Sequence, residues 1–177
     1  MEQKNEIAIA LQTKYLQNIN NPLSANFKID VLKMKMDNLV TFVLDKKPTT
    51  LYKNFLHNEE KTIDIVMLML IQFQDFYNCK SKMDKPQLME TAYIICQKFR
   101  HLNYYDLGLS LRDAKMKEKI YDRIDGGMIL EWLFKYDINR TGMIVTKREE
   151  SKAQNNAEWS ALGERSSIQK LRDFLTN

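Results

Sequence analysis

The stretch EEKTIDIVMLMLIQFQDFY, residues 59–77, decides the fold because it is the most apolar segment of the chain. Apolar side chains recur along it at steps of three and four residues, at Ile63, Val66, Met67, Leu70, Phe73 and Tyr77. This spacing places them on one face of a helix. We therefore expect residues 59–77 to form the central helix of the core. Its methionines are interpreted as packing residues, because methionine fills irregular gaps in cores.

Helical patterns also occupy most of the chain on both sides of this segment. Predicted helices cover residues 4–17, 29–44, 85–99 and 104–114, with a short turn at 51–56 and a further helix beginning beside Asp125. Only five glycines and three prolines interrupt the 177 residues, which disfavours a turn-rich β-fold. The prediction is an all-α fold, a compact bundle of about five or six helices with a charged C-terminal tail.

The composition changes beyond Thr141, where charged and small residues replace most of the apolar ones. We predict a helical domain at residues 1–140 and a charged, partly helical tail at residues 141–177. The tail keeps six apolar anchors, Trp159, Leu162, Ile168, Leu171, Phe174 and Leu175. A short helix is marginal in water unless it docks, so the tail would pack on its own domain or on a partner protein.

The charge and the cysteine content limit the possible classes of protein. Lysine and arginine together number 27 against 23 acidic residues, a net charge of +4 that permits nucleic-acid contact without requiring it. Cys79 and Cys96 are too far apart for a CxxC pair, and His57 and His101 do not complete a zinc site. Signal-peptide and membrane-span patterns are absent. We expect a cytoplasmic protein with reduced thiols, no membrane association and no cofactor.

The segment IYDRIDGGMILEWL, residues 120–133, raises the question of a catalytic loop. Asp122 and Asp125 beside Arg123 could bind a metal or activate water, but no further Cys, His or Glu ligands cluster nearby. The glycine pair that follows lacks the P-loop and dinucleotide-binding spacings. We interpret Asp125 as the cap of the following helix and Trp132 as part of the core behind it. The chain is therefore expected not to be an enzyme.

Basic residues interleaved with tyrosines form the candidate contact site. Its predicted members are Arg100, Arg112, Lys115, Lys117, Lys119, Tyr121 and Arg123. Lysine and arginine neutralise phosphates, and tyrosine rings can stack on exposed bases. Acidic residues in the same span, such as Asp106 and Asp113, could instead pair with these cations locally. Contact with a nucleic acid or partner and a self-paired surface both stay open at this point.

Residues 105–140, YDLGLSLRDAKMKEKIYDRIDGGMILEWLFKYDINR, carry a further signal. They resemble a motif of uncharacterised small helical proteins from phages and mobile elements of gut bacteria. In that motif an arginine-ending helix leads to a loop, then YxRxDG, then a helix with WL, Y and R. The matching positions here are Arg112, Tyr121, Arg123, Asp125, Gly126, Trp132, Leu133, Tyr136 and Arg140. The resemblance covers about a fifth of the chain.

Such proteins are similar in size and helical content to phage replication accessory factors, including helicase loaders and their adaptors. The resemblance therefore implies a non-catalytic adaptor of phage or mobile-element DNA replication. Its partner would be a replicative helicase or another host factor, and the basic residues would permit DNA as well. The alternative is a mobile-element protein that binds and inhibits a host factor or a defence system. The oligomeric state is left open.

Overall fold

The computed structural model describes residues 22, 24–118, 120 and 122–175, with side chains as far as residue 156. The predicted helix at residues 4–17 and the side chains of the tail's apolar anchors lie outside that part of the chain. Within it the fold is all-α, as predicted, and the only strand-like pairing is a single parallel bridge between Ser81 and Arg123.

The described residues contain seven helices, which are joined by loops and turns. They are α1 (Ala25–Lys33), α2 (Met36–Lys46), α3 (Leu51–His57), α4 (Glu59–Asp75), α5 (Lys85–Lys98), α6 (Tyr104–Lys117) and α7 (Gly126–Leu175). The chain divides into two compact units, Met1–Ile138 and Asn139–Asn177. The first unit holds α1 to α6 and the beginning of α7, and the second is helical as far as Leu175. Helix α7 continues through residue 140, the predicted end of the helical domain.

Helix α4 is the central helix of the first unit, as its apolar pattern predicts. It packs against α3, α5 and α6, while α6 also contacts α1 and α2. Most residues along α4 are buried, and Val66, Leu68 and Leu70 are completely so. The core therefore has α4 at its centre. Helices α3 and α5 pack on α4, as does α6, and α1 and α2 cover α6.

Side-chain caps fix where several helices begin. At α5, Asp84 accepts a hydrogen bond from the Gln87 N–H at 2.9 Å, and the Gln87 side chain accepts from the Asp84 N–H at 3.1 Å. At α6, Asn103 and Asp106 form the same reciprocal arrangement. Each arrangement satisfies N–H groups that have no partner within the helix. These caps are local in sequence, which is why the predicted starts of both helices agree with the structure.

The single helix predicted for residues 29–44 is wrong. The structure has two helices there, separated at Met34 and Lys35. At the break, the guanidinium group of Arg112 on α6 donates to the carbonyl oxygen of Val31 at 2.8 Å and also to that of Met34. Carbonyls at a helix end need such partners. The donor is distant in sequence, so periodicity alone could not reveal the break.

Two further contacts order the segment between α4 and α5. The amide oxygen of Gln74 accepts from the Met83 N–H at 3.1 Å, and the amide nitrogen of Gln74 donates to the Met83 carbonyl at 3.4 Å. Both residues are buried, so the pair satisfies backbone groups that water cannot reach. Among the described residues, no helix is long and apolar enough to cross a membrane.

Candidate contact surfaces

The structure separates the predicted basic cluster into members with different neighbours. Arg100 is exposed, and its guanidinium group lies 4.2 Å from the ring centre of Tyr52 on α3. Lys117 is also exposed and lies 3.7 Å from a carboxylate oxygen of Asp113, one helical turn earlier. Exposed pairs of this kind contribute little to stability, about 0–1 kcal/mol. Both cations therefore remain accessible to a partner.

Arg112 and Lys115 have a different environment, because both are partly buried. Besides closing the end of α1, Arg112 donates to a carboxylate oxygen of Asp113 at 2.7 Å. The ammonium group of Lys115 lies 5.7 Å from the ring centre of Phe73 and 4.9 Å from that of Phe76. Arg112 thus serves the fold itself, whereas the contacts of Lys115 within the described ranges are with aromatic faces.

The loop before α7 is tied to the segment after α4. Ser81 donates to the Asp122 carbonyl at 3.0 Å and accepts from the Ile124 N–H at 3.0 Å. Arg123 is exposed and lies 3.3 Å from a carboxylate oxygen of Asp125. The other two predicted members, Lys119 and Tyr121, lie outside the described residues. The described members therefore have different neighbours: Arg100 contacts α3, Arg112 closes α1, and Arg123 lies beside Asp125.

The start of α7 explains the roles of Asp125 and Gly126 within residues 120–133. Asp125 accepts a hydrogen bond from the Met128 N–H at 3.0 Å, the contact that a capping residue makes three positions into a helix. The ring of Trp132 is partly buried and lies 5.8 Å from that of Phe73. Gly126 packs directly on α5, where a Cβ atom would overlap the Thr91 hydroxyl.

This contact gives a testable prediction for Gly126→Ala. The added methyl group has no room, because the Thr91 hydroxyl is held by a 2.7 Å hydrogen bond to the Gln87 carbonyl. We expect the free energy of unfolding, measured in denaturant, to fall by about 1–3 kcal/mol. The matched control is Gly127→Ala, where the nearest atom lies 3.2 Å away and a smaller effect is expected.

A second substitution distinguishes a steric cause from a loss of backbone flexibility. Thr91→Ala removes the hydroxyl that a Cβ at position 126 would meet. In the Thr91→Ala background, Gly126→Ala should lower the free energy of unfolding clearly less than it does in the parent chain. Residues in contact show such energetic coupling. Equal costs in the two backgrounds would mean that the overlap with Thr91 is not the cause.

A groove of about 510 Å³ lies between α1, α4 and α6, and the sequence did not reveal it. Its apolar lining includes Phe27, Val31, Leu32, Met69, Phe73, Phe76 and Leu111. Leu32 remains 68% exposed and Phe76 62% exposed. Gly108 on α6 lets α1 come close, because a Cβ atom there would lie 3.0 Å from a methyl group of Val31. The walls come from three helices, so no local motif could mark the groove.

Some polar groups of the groove have a partner of opposite charge or a hydrogen-bond partner among the described residues, and others do not. Burial lowers the pKa of Lys115, and the neighbouring charge of Lys28 lowers it further. Neither lysine has an ion-pair partner within the described part of the chain. The buried side-chain nitrogen of Gln72 also lacks a hydrogen-bond partner there. Asp75, by contrast, pairs with Lys82 at 3.3 Å. The groove thus offers cations and a donor without matching anions or acceptors.

Nothing beyond the geometry assigns a chemistry to these surfaces. Over the described ranges, no three of the His, Cys, Asp and Glu side chains are grouped so that they could hold a metal ion. Burial raises the pKa of the Cys96 thiol to about 12, so this thiol stays protonated near neutral pH. Comparison of the chain with protein-family models, with curated proteins and with solved structures gives no match.

Proposed function

We propose that this chain is a non-catalytic adaptor that binds a protein partner through the groove between α1, α4 and α6. The observation that carries the proposal is the exposure of Leu32 from α1 and Phe76 from the end of α4 beside an apolar cavity. Contiguous exposed apolar surface commonly marks a binding site. A groove between helices suits the apolar face of a partner helix.

The finer part of the proposal is a role in phage or mobile-element DNA replication, with a replicative helicase or another host factor as the partner. It is supported by the motif resemblance of residues 105–140 and by the exposed cations Lys117 and Arg123, which suit transient DNA contact. Because Arg112 is committed to the end of α1, DNA would be a secondary partner. The cytoplasmic location is part of the same proposal.

The test is affinity purification from bacterial host extract, with and without nuclease, using the parent chain and the variant Leu32→Ser/Phe76→Ser. Both side chains are mostly exposed, so the double variant should fold. Leu56→Ser is the matched control, because Leu56 is 67% exposed but lies on α3 outside the groove. We expect a helicase or primase to be retained by the parent and by the control, and to be lost from the double variant.

Each other result changes the proposal in a defined way. Loss of the partner after nuclease treatment would show that DNA bridges the two proteins. Retention of the same partner by Leu32→Ser/Phe76→Ser would show that the groove is not the binding site. If a defence or regulatory protein is retained through nuclease treatment, the replication role should be replaced by the alternative, inhibition of a host factor. The groove would then serve the same purpose for another partner.

A further inference from the structure

We propose that the partner of the groove is an acidic amphipathic helix, with apolar side chains inserted between α1, α4 and α6 and a carboxylate placed against Lys115 and Lys28. This inference rests on the proposed function and names the chemistry of the partner. It follows from three features of the groove: cations and an amide donor without partners among the described residues, and apolar walls that stay open to water.

The two lysines are the first feature. Lys115 is half-buried, its ammonium group lies over the rings of Phe73 and Phe76, and its pKa is lowered by burial and by the charge of Lys28. Neither lysine has a carboxylate partner in the described part of the chain. A cation withdrawn from water is stabilised best by an anion. A carboxylate entering the groove would supply it and would relieve the repulsion between the two lysines.

The second feature is the amide of Gln72. Its nitrogen is buried and has no acceptor among the described residues, although the side chain lines the same groove as Lys115. Buried donors without acceptors are uncommon in folded proteins. An oxygen atom brought in by the partner would satisfy this donor. The ammonium group of Lys115 and the amide nitrogen of Gln72 would therefore both be stabilised by the same chemical group, a negatively charged oxygen acceptor.

The third feature separates a helix from other acidic ligands. A small molecule in a pocket normally has about 70–90% of its surface buried, whereas Leu32 and Phe76 leave this groove open. A nucleic-acid strand would supply phosphates but few apolar groups for Phe27, Val31 and Met69. The face of Phe76 is already occupied by the ammonium group of Lys115, which hinders base stacking. A helix with acidic and apolar residues satisfies all of these contacts together.

The experiment selects ligands for the groove from a displayed library of random peptides, with the full chain as bait. Selected peptides are then synthesised, and their affinities are measured for the parent, Leu32→Ser/Phe76→Ser, Lys115→Gln and Lys53→Gln. Lys53 is the matched control, because it is an exposed lysine on α3 outside the groove. We expect selected peptides to combine Asp or Glu with large apolar residues at helical spacing. Lys115→Gln should weaken their binding by about tenfold or more, and Lys53→Gln should not.

A stability measurement excludes a merely structural role for Lys115. Because Lys115→Gln removes an unpaired, partly buried charge, its thermal midpoint should equal or exceed that of the parent. A lower midpoint would mean that the ammonium group stabilises the fold through the rings of Phe73 and Phe76, and would overturn the inference. Gln72→Leu should likewise keep the midpoint of the parent, because it removes a buried donor that has no acceptor among the residues that the structure describes.

The outcomes separate this inference from the proposed function. Groove-dependent peptides without acidic residues, or with affinities unchanged in Lys115→Gln, would overturn the acidic partner while leaving the adaptor role intact. Selected peptides that bind Leu32→Ser/Phe76→Ser as well as the parent would count against the groove and so against the proposed function. A short DNA duplex that competes with the peptides and binds Lys115→Gln more weakly than the parent would identify phosphate as the anion. The proposal of an acidic helix as the partner would then be rejected.

Discussion

Phe73→Ala is expected to lower the free energy of unfolding by about 3–5 kcal/mol, the range for truncating a buried aromatic ring. The side chain is 1% exposed on the central helix. Its ring centre lies 5.4 Å from that of Tyr77 and 5.8 Å from that of Trp132 on α7. The free energy of unfolding of a native protein is about 5–15 kcal/mol in total, so this single change should remove a large part of the stability.

Equilibrium unfolding in urea, followed by circular dichroism, measures the effect. Phe76→Ala is the matched control three residues later on the same chain segment, where the ring is largely exposed and the loss should be well below 1 kcal/mol. A similar loss in the two variants would contradict the assignment of Phe73 to the core. Phe73→Leu should lie between the parent and Phe73→Ala, because it keeps part of the buried volume.

Asp106→Ala is expected to lower the free energy of unfolding by about 2–4 kcal/mol. It removes a buried acceptor, so the groups that donate hydrogen bonds to Asp106 lose that partner. One carboxylate oxygen of Asp106 accepts from the Asn103 N–H at 2.9 Å, and the other accepts from the Tyr136 hydroxyl at 3.0 Å. The side chain is completely buried. Asp106 therefore caps α6 and also ties it to α7.

A double-mutant cycle with Tyr136→Phe tests the second of these contacts. The phenylalanine variant removes only the hydroxyl, so its own cost should be about 1 kcal/mol. If the hydrogen bond between Asp106 and Tyr136 contributes as the geometry indicates, the costs of the two single variants should sum to more than that of the double variant. Strict additivity, measured by urea unfolding, would show that the two groups are independent and that this hydrogen bond does not contribute to stability.

The sequence predicted those parts of the fold whose cause is local. The apolar spacing of residues 59–77 identified α4, and the helical pattern of residues 85–99 located the start of α5. Asp106 lies in the first turn of α6, where an acid suits the helix dipole, and this part of its role is local. Its contact with Tyr136 spans thirty residues, and nothing in the spacing of either residue indicates it.

The candidate site was less accessible to sequence reasoning for the same physical reason. Charge and spacing grouped Arg112 and Lys115 with exposed cations, although the structure buries part of both. Arg112 terminates a helix about eighty residues earlier in the chain, and Lys115 shares a groove with α1 and α4. Partial burial of a cation depends on which helices meet around it. That packing is long-range information, which a pattern of residue types does not contain.

The close approach at Gly108 has a consequence for how the groove could diverge among relatives of this chain. The separation between α1 and α6 depends on a missing side chain, since a single methyl group there would press on Val31 and Phe27. Alanine at this position would push the wall outward and admit a bulkier anchor. If the proposed partner docks there, one substitution would change which side chain the groove accepts, while Leu32, Phe76 and Lys115 stayed the same.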